Sequence, residues 1–504
     1  MRTPSPLLRP RLLPAVLFLL LLAALPLRGE DARELVAEGQ RLRDAGQLDE
    51  AVAQFRRAVT AAPQDPEPAL LLAETIAWQK RFDEAERIYR EALDRFGPSR
   101  AAQLGLGRVL LWKGEYAGAR RTLSQILRES PGDLDAREEL ARAWYWSGDF
   151  RRAEREFREV VAGDPSREGP RRELSEIREA SAPSFAVRAL HRSDDQPFQL
   201  DRAEVELSLF SDPLTRWTVT AGAYRMDDPS ESAPYLEAET EITLPAARIT
   251  IAPALRLLSF PDGEDELLGG VRIARRIGTT STISVVARRH ELLLNRGAAD
   301  DHPWVTNLNF DYELAAEGWI ARARAGTSRF FDGNDGAFAD AYVLAPLYRG
   351  GSLRVSLGAA AAYRDTGESR FRADGAVAEP LAPGIWSYRW EGVYDPYWSP
   401  HRLEEIRAIA SVGSAGGSRI VWNVQISGGS ARDRAVGFGP RTGASPLPPP
   451  PFEVGFKRTY QPWTASAWAE IPIAPARKLR FDYEHMRSVY YEADEFRAAL
   501  VGRF

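Results

Sequence analysis

The sequence predicts an α + β multidomain protein, in which an N-terminal α-solenoid precedes a C-terminal antiparallel transmembrane β-barrel. Three observations support this fold class. A helical pattern with a period of 34 residues begins at residue 31 and continues to about residue 178. From residue 183 onward, apolar and polar residues alternate with a period of two, strand after strand. The chain then ends on an aromatic residue, Phe504.

The first segment, residues 1–29, is predicted to be a secretory signal peptide rather than a part of the fold. Arg2, Arg9 and Arg11 form a basic start, and an apolar run follows as far as Leu27. An uncleaved membrane anchor is the alternative, which the shortness of the run disfavours. The chain has no cysteine, which excludes a lipoprotein anchor, disulfides and thiolate metal sites. Its net charge of −5 comes from interspersed charges without a basic block, so nucleic acid is not expected as a partner.

Several residue types recur together every 34 positions in the helical segment. These columns are Ala51, Ala85, Ala119 and Ala153; Phe55, Tyr89, Leu123 and Phe157; and Gly46, Gly114 and Gly148, with Lys80 as the exception. The pattern resembles the tetratricopeptide repeat, a helix–turn–helix unit of this length, in which small residues allow two helices to approach closely. A chance amphipathic bundle is the less favoured alternative. The resemblance implies a periplasmic repeat domain over residues 30–180.

Tryptophan recurs in the same register, at Trp78, Trp112 and Trp146. In the tetratricopeptide fold this position lies on or near the concave groove, so the resemblance implies a ladder of indoles there, with Tyr145 and Glu138 as neighbours. Such a row could stack on sugar rings or on peptide side chains. The equally weighted alternative is that each indole packs as core beneath the following repeat.

The alternating region, residues 183–504, is predicted to form a barrel of about eighteen strands, with sixteen as the second option. An even number is typical of single-chain bacterial barrels with both termini in the periplasm. The short connectors and the longer ones alternate along the chain, which places the N-terminus of the barrel on the periplasmic side. A β-propeller or a large β-sandwich is disfavoured, because no blade-length repeat is present.

One face of the predicted strands is polar and is assigned to a water-filled lumen. By alternation this face includes Glu237, Glu239, Glu241, Asp311, Arg322, Arg324, Arg480 and Asp482. The signs of these charges are mixed. Such a wall suits a neutral or weakly charged polymer better than selection of a small ion, although any large porin-like lumen is expected to look similar.

No catalytic or cofactor motif stands out in the sequence. The five histidines are widely spaced, without a zinc-protease pattern, and no glycine-rich phosphate loop follows a strand. We therefore predict neither an enzyme, nor a cofactor, nor a metal site. The triplet Ser399, Pro400 and His401 could indicate a barrel hydrolase, but two neighbours in a proline-containing loop are more typical of a turn.

The order of signal peptide, tetratricopeptide repeats and barrel resembles the exporters of bacterial exopolysaccharides such as poly-N-acetylglucosamine and cellulose, and also YaiO-like barrels. The alternating strand that ends at Phe504 resembles the signal recognised by the barrel-assembly machinery. The resemblance implies a Gram-negative outer-membrane protein, in contact with lipid, that exports a polysaccharide. The alternative is an interaction scaffold, in which a non-conducting barrel anchors repeats that bind a periplasmic protein.

Overall fold

The computed structural model describes residues 31–195, 198–226, 232–260, 262–293, 301–415, 419–439, 441–443, 447–489 and 492–504. The predicted signal peptide lies outside these ranges. The chain divides into two compact units, with the division between Leu174 and Ser175. A helix of the length and apolarity needed to cross a membrane is not found in the described ranges.

The first unit consists of antiparallel helix pairs. The described helices are α1 (Ala32–Asp44), α2 (Leu48–Ala61), α3 (Glu67–Trp78), α4 (Phe82–Phe96), α5 (Arg100–Trp112), α6 (Tyr116–Glu129), α7 (Leu134–Trp146), α8 (Phe150–Gly163) and α9 (Glu168–Ala180), the last of which extends into the second unit. Gly46, Gly114 and Gly148 take the left-handed conformation in the turns, with φ of 78°, 78° and 84°. Lys80, at the equivalent position, adopts the same conformation with φ of 62°. The exception in sequence is therefore not an exception in geometry.

The recurring small and aromatic residues form the core of the repeats, as the pattern predicts. The alanine column is completely buried, and so are Phe55, Leu123 and Phe157. Gly107 shows why a small residue is required in the first helix of a repeat. A Cβ atom there would lie 2.6 Å from the Leu123 side chain. The tetratricopeptide architecture is thereby confirmed.

The second unit is built from antiparallel strands. These are β1 (Ser184–Asp194), β2 (Gln199–Asp212), β3 (Thr215–Met226), β4 (Ser232–Leu244), β5 (Ile249–Ser259), β6 (Asp265–Ile277), β7 (Ser281–Glu291), β8 (Trp304–Ala316), β9 (Trp319–Phe330), β10 (Asp335–Gly350), β11 (Leu353–Thr366), β12 (Phe371–Ala382), β13 (Ile385–Tyr394), β14 (His401–Ser414), β15 (Val421–Phe438), β16 (Arg441–Gly443), β17 (Glu453–Tyr460), β18 (Trp463–Ala474), β19 (Arg477–Arg487) and β20 (Glu492–Arg503).

Strand β1 pairs with both β2 and β20, so the sheet closes on itself. Strands β17 and β18 lie end to end along β15, since Tyr460 pairs with Ala431 and Trp463 pairs with Gly428. Together they occupy one position in the wall. The barrel therefore has sixteen wall positions, although its sheet contains seventeen strand segments. Closure gives each of the sixteen wall positions two paired neighbours, which is the condition for a sheet in lipid.

The structure has sixteen wall positions, the second of the two predicted counts, because two of the eighteen predicted strands do not enter the wall. The segments 367–379 and 384–395 correspond to β12 and β13, which form a separate three-stranded sheet with β16. Tyr388 and Tyr394 are buried there, so this hairpin has an apolar side of its own. Alternation identifies a strand, but it does not say which sheet the strand joins.

The two faces of the wall differ as the alternation predicts. Val205 and Leu236 are 54% and 53% exposed on the outer face, where burial would be expected in a water-surrounded barrel. Neighbouring Glu204 and Glu237 point the other way and are paired with arginines. An apolar exterior with a polar interior is the arrangement of an outer-membrane barrel. The ends of the barrel are named below by their connectors, as the tight-turn end and the long-loop end.

Candidate functional site: the repeat groove and the barrel lumen

Helices α3 and α5 enclose a cavity of about 790 Å³ in the first unit. Its lining includes Leu70, Leu71, Glu74 and Trp78 from α3, and Leu104, Gly105, Arg108 and Trp112 from α5. Trp78 and Trp112 are 48% and 45% exposed, so these two indoles are not packed as core beneath the following repeat. An exposed apolar ring beside a cavity is a surface that can receive a flat apolar ligand face.

Both indoles are held in place by their neighbours. The guanidinium of Arg43 lies 5.0 Å from the ring centroid of Trp78, within the range of a cation–π contact. The rings of Phe82 and Trp112 have centroids 6.0 Å apart. Fixed indoles lose little conformational freedom when a ligand stacks on them, which favours binding.

The absence of a side chain at Gly105 leaves room for the ring of Tyr89, another residue that lines the cavity. A Cβ atom at this position would lie 2.4 Å from Cζ of Tyr89, whose ring packs against the Gly105 backbone. Leu71 and Glu139 occupy the equivalent places in the repeats before and after. Burial raises the pKa of Tyr89, so its phenol stays neutral.

Charged side chains border this cavity and link consecutive repeats. Glu74 accepts a hydrogen bond of 2.9 Å from Arg43, and Arg108 donates one of 2.8 Å to Glu139. Both pairs are partly buried and join residues 31 positions apart. Each pair therefore holds adjacent repeats in register while leaving polar atoms at the rim of the cavity.

The predicted groove residues of the fourth repeat have different surroundings. Trp146 is 40% exposed, but Tyr145 turns its ring toward Phe150 and Phe157, at centroid distances of 5.5 and 6.3 Å. Glu138 bridges Arg142 and Arg167, the latter at 2.8 Å. The structure thus brings Trp78 and Trp112 to one cavity, whereas Glu138 belongs to a salt-bridge network.

The salt-bridge network continues through Asp133, which precedes α7, and through Asp135 in the first turn of that helix. Asp133 accepts hydrogen bonds from the Arg100 side chain and from the backbone N–H of Ala136, and it caps the helix. Asp135 accepts from Arg100 at 2.7 Å and from Arg167 at 2.9 Å. The hydrogen bonds from Arg100 hold the pKa of both carboxyls below the usual range. The carboxylates of Asp133 and Asp135 are therefore already paired with arginines.

In the barrel, most of the lumen residues predicted from alternation have polar or charged partners, on the same strand or on other strands. Glu237 accepts from Arg256 and Arg288, Glu241 pairs with Arg216, Arg322 with Glu313, Arg324 with Asp340, Arg480 with Asp482 and Glu470, and Asp311 accepts from Asn309, while Glu239 lies between Glu237 and Glu241 on β4. Three of these residues, Glu237, Glu239 and Glu241, are successive inward glutamates of β4, and arginines from other strands reach Glu237 and Glu241. The lumen surface is therefore polar and carries charges of both signs.

Sequence reasoning missed a buried network on the lumen side of β3 to β7, which we call the Arg256 cluster. Arg256 donates to Glu237 at 2.7 Å, to Tyr224 at 3.1 Å and also to Glu291. Tyr224 in turn donates to Glu291 at 2.6 Å. The available signal was a set of tyrosines on the polar face of the strands, since an aromatic with a hydroxyl there needs a partner.

A second missed feature is an apolar cluster beside this network at the long-loop end. It consists of Phe198, Leu200, Tyr224, Met226, Ala233, Tyr235, Leu258, Phe260, Leu268 and Leu293. These residues lie on the inward face or in the connecting loops. One side of the barrel mouth is thus filled by packed side chains.

The Ser399 and His401 pair has a structural explanation. Ser399 is completely buried, and its hydroxyl accepts a 2.6 Å hydrogen bond from the backbone N–H of Arg370. Nearby Tyr397 stacks on Phe330 at 4.1 Å and donates to Asp332 at 2.9 Å. The loop that contains the triplet is therefore anchored to the long-loop end, and the serine hydroxyl is committed to the backbone.

A family model described as tetratricopeptide repeat matches residues 42–104, 79–131 and 110–169. The curated proteins compared contain no match to the chain. Among solved structures, one described as a bacterial polysaccharide outer membrane secretin is similar, with a TM-score of 0.47, 10% identity, and coverage of 64% of this chain and 99% of that one.

The repeat segment is also similar to two further solved structures. MamA from Desulfovibrio magneticus RS-1 is 20% identical and covers 30% of this chain and 85% of its own, with a TM-score of 0.28. YrrB, described as a TPR protein with an unusual peptide-binding site, is 18% identical and covers 31% and 81%, with a TM-score of 0.27. Residues 42–169 thus carry tetratricopeptide repeats, and the chain joins them to a closed sixteen-stranded antiparallel barrel that fits an outer-membrane protein.

Proposed function

We propose that the protein is an outer-membrane pore for the export of an exopolysaccharide, and that its repeat domain lies in the periplasm and binds the polymer. The observation that carries this proposal is a closed, polar-lined barrel in the same chain as a groove with exposed indoles. Barrels of sixteen to eighteen strands are wide enough to leave an aqueous channel. A wall with charges of both signs offers hydrogen bonds throughout without strongly retaining one ion.

The chemistry of the groove supports a carbohydrate ligand. Trp78 and Trp112 present flat apolar faces, which match the apolar C–H faces of pyranose rings. Glu74 and Arg108 place an acceptor and donors at the border of the same cavity, where sugar hydroxyls can bind. A mixture of aromatic surface with few polar groups is typical of ligand sites. Binding here would guide the chain or concentrate it near the barrel.

The connectors support the periplasmic location of the repeats. Tight turns join strands at one end of the barrel, for example between β10 and β11, and longer segments join strands at the other end. Barrels of this class have short periplasmic turns and longer outer loops. At the tight-turn end, Phe504 packs its ring 5.3 Å from that of Phe185, beside the start of β1. The segment that leads to the repeats starts from this end.

We expect Trp112→Ala to weaken oligosaccharide binding about tenfold, which corresponds to about 1.4 kcal/mol. The reason is the loss of the stacking surface on one side of the cavity. Isothermal titration of the detergent-solubilised protein with a panel of neutral and amino-sugar oligosaccharides measures the effect. The matched control is Trp319→Ala, since Trp319 is 48% exposed on the barrel wall and should leave binding unchanged. Equal affinity of both variants would contradict the proposal.

The second candidate function, a scaffold with a non-conducting barrel, is favoured by the apolar cluster that fills one side of the mouth. Conductance in planar bilayers separates the two functions. For a pore, we expect stepwise ohmic conductance. This conductance should fall when an oligosaccharide that binds the protein is added. Protein that inserts without conducting, together with capture of a periplasmic protein by the groove, would establish the scaffold instead. Protein unfolded before addition serves as the control for unspecific leakage.

A further inference from the structure

Two loops meet at the long-loop end of the barrel, outside the sites described above. One joins β5 to β6 and contains Asp262 and Glu264, and the other joins β7 to β8 and contains His302. The imidazole of His302 stacks on Phe260, with ring centroids 3.7 Å apart and planes inclined by 16°. Its side chain is only 9% exposed. The histidine is therefore held in a fixed orientation against the apolar cluster.

Two carboxylates face this buried ring. Oδ2 of Asp262 lies 3.5 Å from Nε2 of His302, and Oε2 of Glu264 lies 3.6 Å from Nδ1. Both distances exceed that of an ordinary N–H···O hydrogen bond. One ligand atom from each of the three residues lies within 4.8 Å of the other two. The three side chains thus converge without closing on one another.

Backbone hydrogen bonds hold the described residues next to these groups. The Phe260 N–H donates to the Glu264 carbonyl at 2.8 Å, and the Glu264 N–H donates to Oδ1 of Asp262 at 3.0 Å. The second contact leaves Oδ2 of Asp262 directed at His302. In the other loop, the Leu292 N–H donates to the carbonyl of Pro303 at 2.8 Å. The described backbone beside each ligand is therefore held by hydrogen bonds.

We propose that Asp262, Glu264 and His302 form a binding site for a divalent transition-metal ion, with Zn²⁺ as the best fit. One imidazole nitrogen and two carboxylate oxygens are ligands that Zn²⁺ accepts, and a tetrahedral ion leaves a fourth position for water. Ca²⁺ and Mg²⁺ prefer shells made of oxygen alone, in larger number.

The two carboxylates face different nitrogens of the His302 ring, so binding of one ion requires both to gather at the same nitrogen. Tetrahedral bonds of 2.0–2.2 Å hold ligand atoms about 3.4 Å apart. The side chains of Asp262 and Glu264 are 51% and 75% exposed, so they are free to move inward, whereas His302 is fixed. The bound ion would tie the β5–β6 loop to the β7–β8 loop over the apolar cluster. The sequence offered no sign of this site. His302 lies 38 positions after Glu264 and 40 positions after Asp262, and this spacing matches no metal-binding motif.

The test is Zn²⁺ titration of full-length, untagged protein in detergent after treatment with a chelating resin. We expect one ion per chain, and visible absorption bands of a four-coordinate ion when Co²⁺ replaces Zn²⁺. Asp262→Asn and Glu264→Gln keep side-chain size at exposed positions, and each should weaken Zn²⁺ binding at least tenfold. His302→Gln should abolish it. An excess of Ca²⁺ should not compete.

The matched control is His485→Ala. His485 also lies between two carboxylates, but its Nδ1 already forms a 3.0 Å hydrogen bond with Asp494, so this variant should bind Zn²⁺ normally. A stoichiometry that the three site variants leave unchanged, or no binding above the His302→Gln background, would overturn the proposal and leave only a contact between a histidine and two carboxylates. Either outcome is independent of whether the barrel exports a polysaccharide.

Discussion

Arg256→Ala is expected to destabilise the barrel by about 3–5 kcal/mol, since it leaves two buried carboxylates without their common partner. The side chains of Arg256, Glu237 and Glu291 are 15%, 12% and 13% exposed. Arg288 still pairs with Glu237 at 2.9 Å in this variant. Most of the destabilisation is therefore expected from Glu291, whose buried charge loses its arginine partner. Samples are heated to a series of temperatures before gel electrophoresis. The measurement is the temperature at which the band of the folded barrel disappears.

The same substitution is expected to make the pore more selective for cations, because the lumen loses one positive charge. The reversal potential in a salt gradient measures this change. Arg322→Ala is the matched control, since it removes the same charge from a half-exposed side chain that lies 3.5 Å from Glu313. It should shift selectivity similarly while leaving the unfolding temperature nearly unchanged. An equal loss of stability in both variants would contradict a special role for the Arg256 cluster.

Phe157→Ala is expected to lower the unfolding free energy of the repeats by about 3–5 kcal/mol, because it opens a cavity at a completely buried site. The ring of Tyr145 contacts Phe157 edge-on and would lose this support. Urea unfolding followed by the helical circular dichroism signal reports on the repeats, since the barrel contains few helical residues.

The control for this prediction is Arg87→Ala. Arg87 and Glu91 form a 2.8 Å pair on α4, and each side chain is 61% exposed. Exposed pairs at this spacing contribute about 0.3–0.5 kcal/mol, so the urea midpoint should move little. A Phe157→Ala variant as stable as the Arg87→Ala variant would show that this aromatic column does not hold the repeats together.

Much of the fold could be predicted because its regularities are local or periodic. The repeat columns recur at a fixed spacing, and each column has one geometric role, as Gly107 against Leu123 shows. The alternation in β4 separates Leu236 from Glu237 whichever strands lie beside it. Periodicity of this kind follows from the backbone geometry of a helix or a strand, so it can be read from each segment separately.

The sites were less predictable, because they depend on which segments meet. Trp78, Trp112 and Trp146 share one register, yet the first two line one cavity together, whereas the fourth repeat has ion pairs at Glu138. The Arg256 cluster joins four strands, and the His302 site joins two loops. Contacts between distant segments follow no fixed spacing in the sequence, so the sequence alone does not reveal them.

By itself, the sequence determined the order of a helical repeat domain and a barrel, the outward and inward faces of the strands, and the register of the indoles. Only the tertiary structure decided that sixteen positions close the wall, that β12 and β13 leave it, and where cavities and buried charges lie. The physical reason is that side-chain periodicity is fixed by the backbone of each element. Strand pairing and burial are instead fixed by competition among distant segments for the same partners.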